Sequence, residues 1–154
     1  MAVHLVVAYE TASSPELAAA LRARAVADRD AAFVLLVPAT ARHHLLAYRR
    51  GRELETADKM ARSAMNQFES LGLNILKAIA GEADPIAAIA HELGEQEFGS
   101  IIICTHPADV SRWLRAQVPR KAQDFGLPVT HVIVRSVAQS LRASEADVSR
   151  PPLV

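Results

Sequence analysis

The stretch Gly81–Cys104, GEADPIAAIAHELGEQEFGSIIIC, holds a turn, a helix and a strand in one continuous segment. Asp84 followed by Pro85 reads as a helix cap and first helical residue. A capping carboxylate satisfies an amide left free at the helix start, and proline there lacks only an N–H that has no helical partner. Ile86, Ile89 and Leu93 then fall on one helical face. Ser100–Cys104 is a short apolar run without polar alternation, the pattern of a strand covered on both sides. A helix feeding such a strand points to a parallel sheet rather than to a hairpin.

The same alternation recurs on either side of this segment. Val3–Tyr9 is a first buried strand, and a helix start follows it. Either Ser13 caps with Glu16 three residues on, or Ser14 caps with Pro15 at the first helical position. Leu17, Leu21 and Ala25 share the apolar face of that helix, and Phe33–Val37 is a second strand stopped by Pro38. Arg42, Arg49, Arg50 and Arg52, with His43 and His44, form the most basic segment, expected as a surface connection. It leads into a helix over 53–71, where Leu54, Ala57, Ala61, Ala64, Phe68 and Leu71 recur at three- or four-residue steps. Residues 73–81, LNILKAIAG, fit either a strand or more of that helix, and the interruption at Gly72 favours a strand.

After Cys104 a helical pattern runs through Leu114, Val118, Ala122 and Phe125. Pro119 lies inside it, so the helix either kinks there or restarts with Pro119 at its first position. A last strand begins after Pro128, and the tail 138–154 has a weak pattern and is expected to fray. Five strands alternating with helices predict one α/β domain over 1–137, a three-layer, Rossmann-like sandwich with a parallel sheet. Ligands of such folds sit beyond the carboxyl ends of the strands. That directs attention to Tyr9–Ser14, Pro38–His44, Gly81–Asp84 and Thr105–Arg112.

Composition narrows the classes of function. A length of 154 residues suits a single domain. With 5% aromatic residues, Ala, Val, Leu and Ile must supply most of the packing. Seventeen basic and seventeen acidic residues balance, which argues against a dedicated nucleic-acid binder. Cys104 is the single cysteine, so an internal disulfide and a multi-cysteine zinc site are excluded. The opening MAVHLVVAYE lacks the basic start and apolar length of a secretory signal, and no apolar run is long enough to suggest a membrane span. The expectation is a cytoplasmic protein with no membrane partner.

Four segments in this order resemble the universal stress protein family over nearly the whole chain. They are VVAYE (6–10), where the family has an Asp at the position of Glu10; GEADPIAAIAHELGEQEFGSIII (81–103), similar to its G-(x)-D-P-x-x-x-I rhythm into the fourth strand; the helical segment after that strand; and GLPVTHVIV (126–134), like its last strand. The resemblance implies a five-stranded parallel sheet of order 3-2-1-4-5 and commonly a homodimer, often through the last strand, here Val129 to Arg135. An apolar edge strand is also one that tends to be covered. Family members that bind ATP carry G-x2-G-x9-G-(S/T) after the fourth strand. Here Cys104 and Pro107 fall on the first two glycines, and the third falls around Arg115 to Gln117. All three glycines are missing, and proline donates no amide, so the resemblance implies no ATP cradle of the family's kind.

The residues themselves leave several readings. Arg112, Arg115, Arg120 and Lys121 lie near a helix start, either as a side-chain phosphate clamp or as a solvated basic face balanced by Asp109 and Asp124. Ser111 reads as a helix cap before it reads as a nucleophile, and Trp113 as core before a ligand wall. Glu10 is either a ligand for a ribose or adenine group or a solvent-facing carboxylate. Thr105 and His106 form a strand-end pair, His43-His44 lacks the pattern of a metal site, and Cys104 reads as a small hydrophobe. Motifs of hydrolases, zinc proteases, Walker loops and dinucleotide folds are absent from the sequence. The leading expectation is a non-enzymatic regulatory or interaction module without a cofactor or metal. The alternative is a binder of a nucleotide, ATP included, or of another phosphate ligand, through Glu10, Thr105, His106, Ser111, Arg112 and Arg115. An enzyme with an unseen constellation would rest on fold analogy alone.

Overall fold

The computed structural model describes residues 2–8, 12, 14–38, 50–81, 84–105 and 118–134, with 50–54 by backbone alone. The elements run β1 (Val3–Ala8), α1 (Pro15–Ala27), β2 (Ala32–Pro38), α2 (Arg50–Ser70), β3 (Ile75–Gly81), α3 (Pro85–Glu95), β4 (Ser100–Thr105), α4 (Val118–Gln123) and β5 (Val129–Ile133). The five strands form one sheet of order β3-β2-β1-β4-β5, and every pairing is parallel. This is the α/β sandwich expected from the alternation, with the strand order that the resemblance implied.

Strand order decides which face each helix covers. Parallel crossovers are right-handed, so when the chain reverses its direction across the sheet the connecting helix must change face. Strands β1, β2 and β3 progress one way, and α1 and α2 lie together on one face. Leu17 and Leu21 of α1, and Ala57, Ala61, Ala64 and Phe68 of α2, pack there against Val6, Leu35, Val37 and Ile102. The chain then turns back to β4 and β5, and α3 and α4 lie on the other face. There Ala88, Ile89, Val118 and Ala122 pack against Leu5, Val7, Val34, Leu36, Ile101 and Ile103. The reversal falls between β1 and β4, the switch point of the fold.

Local chemistry sets the helix ends. Of the two caps weighed for α1, Ser14 is the one used: its Oγ accepts the Leu17 amide at 3.2 Å, and Pro15 follows it. Asp84 caps α3 as expected, accepting the Ile86 amide at 3.0 Å. Helix α2 starts at Arg50, so Arg50 and Arg52 belong to the helix rather than to the connection read before Glu53. At its other end Gly72 takes φ +83, a left-handed turn that glycine adopts without strain. The turn ends the helix at Ser70 and leaves Leu71, read as a face residue, 42% exposed. Leu73 is buried in its place, and its amide returns to the Phe68 carbonyl at 3.1 Å.

Strand β3 is indeed a strand, but not a regular one. Phe33 pairs with Ile75 and Val34 with Lys77, so Leu76 is an extra residue. Such a bulge reverses the facing of everything after it. Ile75 joins the α1–α2 side with Ala78 and Ala80, although their sequence parity differs, while Ile79 joins the α3–α4 side. Lys77 is thereby aimed at α3, where its Nζ lies 3.0 Å from Oε2 of the buried Glu92. At the end of β3, a Cβ on Gly81 would lie 2.6 Å from Leu36 Cδ1 and 3.0 Å from Ala88 Cβ. Glycine is what lets the start of α3 close onto β2. Among the described residues no helix is long and apolar enough to cross a membrane.

Candidate functional site

The switch point directs attention to the carboxyl ends of β1 and β4, where Ala8 and Cys104 lie opposite each other. Helix α1 begins over this end. Ser14 Oγ lies 3.9 Å from Cys104 Sγ, a sulfur hydrogen-bond distance, and both side chains are buried. Ser14 already accepts the Leu17 amide, and Glu16 occupies the first turn. The amino end of α1 therefore carries its own acceptor and its own negative charge, which weakens the attraction for an anion that a bare helix start offers. One Glu16 oxygen, Oε2, is buried there without a hydrogen-bond partner among the described residues.

Thr105 is the last residue of β4 and is 1% exposed. Its carbonyl accepts the Val134 amide at 2.8 Å, and its Oγ1 lies 2.8 Å from His131 Nε2. His131 sits on β5 opposite Ile103, so the contact runs diagonally to the next same-face position. Burial lowers the His131 pKa below the ordinary imidazole value, which leaves the ring neutral at neutral pH. The pair is therefore an uncharged hydroxyl–imidazole contact. It can orient a polar group by hydrogen bonding but supplies no charge to a phosphate, and burial withholds the Thr105 hydroxyl from the role of an open nucleophile.

Of the candidate ligand residues named from sequence, Thr105 is the one placed at this site. Glu10, His106, Ser111, Arg112 and Arg115 lie outside the described residues, as do Pro107, Asp109, Trp113, Arg42, Arg49, His43 and His44. Arg120 and Lys121 are exposed on α4, a solvated basic face. Among the described residues no group of three or more His, Cys, Asp or Glu side chains is placed to hold a metal ion. His131 was missed by sequence reasoning. Its signal is a histidine within the apolar run VTHVI, and only the β4–β5 register reveals that it reaches Thr105. Neither a protein-family model nor a curated protein matches this chain.

Proposed function

We propose that the chain is a universal-stress-protein-like regulatory or interaction module, non-enzymatic and homodimeric, that does not hold ATP through a glycine loop. The carrying observation is the strand order β3-β2-β1-β4-β5, whose switch-point strand β4 leads straight into the glycine-free segment from Thr105 to Arg115. The capped, acidic start of α1 beside β4 supports the same reading. So does the neutral Thr105–His131 pair, which gives a triphosphate no counter-charge. Mass spectrometry of small molecules released from the denatured protein should find no stoichiometric nucleotide. Calorimetric titration with ATP, ADP and AMP should show no micromolar binding. Stoichiometric nucleotide would instead support the arginine-lined pocket, and Arg112→Ala with Arg115→Ala should then weaken it.

The two sheet edges differ in a way that supports β5 as the dimer strand. On β3 the edge is interrupted by the bulge at Leu76 and carries Lys77, both features that discourage strand addition. On β5, five residues pair with β4 in unbroken register, none of Val129–Ile133 is an acid, lysine or arginine, and Ile133 is 50% exposed. Light scattering should give a dimer for the native chain and a monomer for Ile133→Lys. A monomeric native chain would remove the dimer, and a variant that stays dimeric would move the interface elsewhere.

A further inference from the structure

At the opposite end of the sheet from the switch-point site, His4 is buried where β1 begins. It is 5% exposed, and it faces the α1 side by alternation with Val6 and Ala8. Its Nδ1 lies 2.6 Å from Ser100 Oγ on the neighbouring β4, and the pair is in register. Its ring lies against Phe33 of β2, with centroids 5.6 Å apart and planes inclined at 36°. Among the described residues Nε2 is buried and has no hydrogen-bond partner. Among the described residues the charged groups acting on the ring are Arg24 in the last turn of α1 and Asp28, the cap that follows it, while β2 contributes Phe33 and β4 contributes Ser100. Arg24 Nη2 also donates to Thr130 Oγ1 on β5 at 3.2 Å.

The surroundings suit one protonation state. A neutral imidazole needs one donor contact and one acceptor contact, and Ser100 satisfies Nδ1 in either tautomer. An imidazolium needs two acceptors, and among the described residues none meets Nε2. It would also bring a second positive charge near Arg24.

We propose that His4 is an acid-sensitive latch joining the central strand β1 to β4, closed while its ring is neutral and loosened when the ring takes up a proton. The inference does not depend on what the switch-point site binds. Burial is the main cause that lowers the His4 pKa below its ordinary value of 6.5; Arg24 adds to the effect and Asp28 opposes it. The sign follows from proton binding. Because the unfolded ring holds its proton more tightly than the folded one, the latch contributes fully above the unfolded value of 6.5. Its contribution falls away as pH drops from there toward the folded value.

Two measurements on the full chain test this. An NMR titration should follow the His4 ring to a midpoint below 6.5, with the ring neutral at neutral pH; a midpoint at or above 6.5 would overturn the proposal. The urea midpoint of the native chain should fall between about pH 7.5 and about pH 5. It should fall distinctly less in His4→Phe, which keeps the ring contact and removes the proton site. An equal fall in both would assign the acid sensitivity to other groups and also overturn the latch. The NMR titration uses the native chain, so it decides the question even where His4→Phe folds poorly.

Discussion

Phe68→Ala should lower the free energy of unfolding by about 3–5 kcal/mol, the range for truncating a buried aromatic side chain. The reason lies in the stripe that α2 presents to the sheet. Ala57, Ala61 and Ala64 are fully buried and small, which brings the helix backbone close to the strands. Phe68 is the one large fully buried side chain among the described residues of α2. It sits in the last turn, where the Leu71 and Leu73 amides both bond its carbonyl. Removing the ring leaves a void bounded by a short helix end and a sheet, neither free to close over it. Since a domain of this kind is stable by about 5–15 kcal/mol, the loss is a large fraction of the total. Urea denaturation followed by far-UV circular dichroism measures it. A loss below about 1.5 kcal/mol would show that the neighbouring side chains collapse into the space, and would refute the rigid-void account.

Lys77→Met should cost about 2–3 kcal/mol, and Glu92→Gln much less. The two ends of this ion pair are not equivalent. Glu92 is 5% exposed on the packed face of α3, whereas Lys77 lies on an edge strand with a two-fifths exposed side chain. Removing the lysine strands a buried carboxylate, while removing the carboxylate lets the ammonium turn to water. Breaking a sealed pair costs about 3–5 kcal/mol, and the partial exposure of Lys77 brings the expectation below that range. The contact is an ion pair of 3.0 Å in which Glu92 Oε2 does not meet hydrogen-bond geometry, so charge rather than directed bonding holds it. The double variant Lys77→Met with Glu92→Met should recover most of the loss, because an apolar pair of similar volume needs no counter-ion. A denaturation cycle over the single and double variants reads the coupling directly. Equal losses from Lys77→Met and Glu92→Gln would show that the carboxylate is not confined as described.

Glu92 marks where periodicity stopped being informative. The reading of α3 took Ile86, Ile89 and Leu93 as its apolar face, and all three do contribute to the α3–α4 side of the core. Nothing in that spacing announces that Glu92, adjacent to Leu93, is buried with them. Its partner was hidden for a different reason. Plain alternation through ILKAIAG sends Ile75, Lys77 and Ile79 to one face, and the bulge at Leu76 separates Ile75 from the other two. The candidate site divides in the same way. Thr105 was legible because it ends an apolar run, but its bond to His131 spans 26 residues. The His4–Ser100 contact spans 96.

Local chemistry alone accounts for the succession of elements, the caps at Asp84 and at one of two serines, and the strand character of Ser100–Cys104. These depend on interactions within a few residues: a side-chain oxygen on a nearby amide, a proline where no bond is lost, an apolar period. The same stretch of chain shows that no glycine follows β4 before Gly126. Folding reveals the choice of Ser14, the bulge at Leu76, the ion pair at Glu92 and the two histidine–hydroxyl contacts that bracket β4. The bulge, the ion pair and the histidine contacts depend on strand register or on which face a helix covers, and those are settled only when distant segments compete to bury the same sheet.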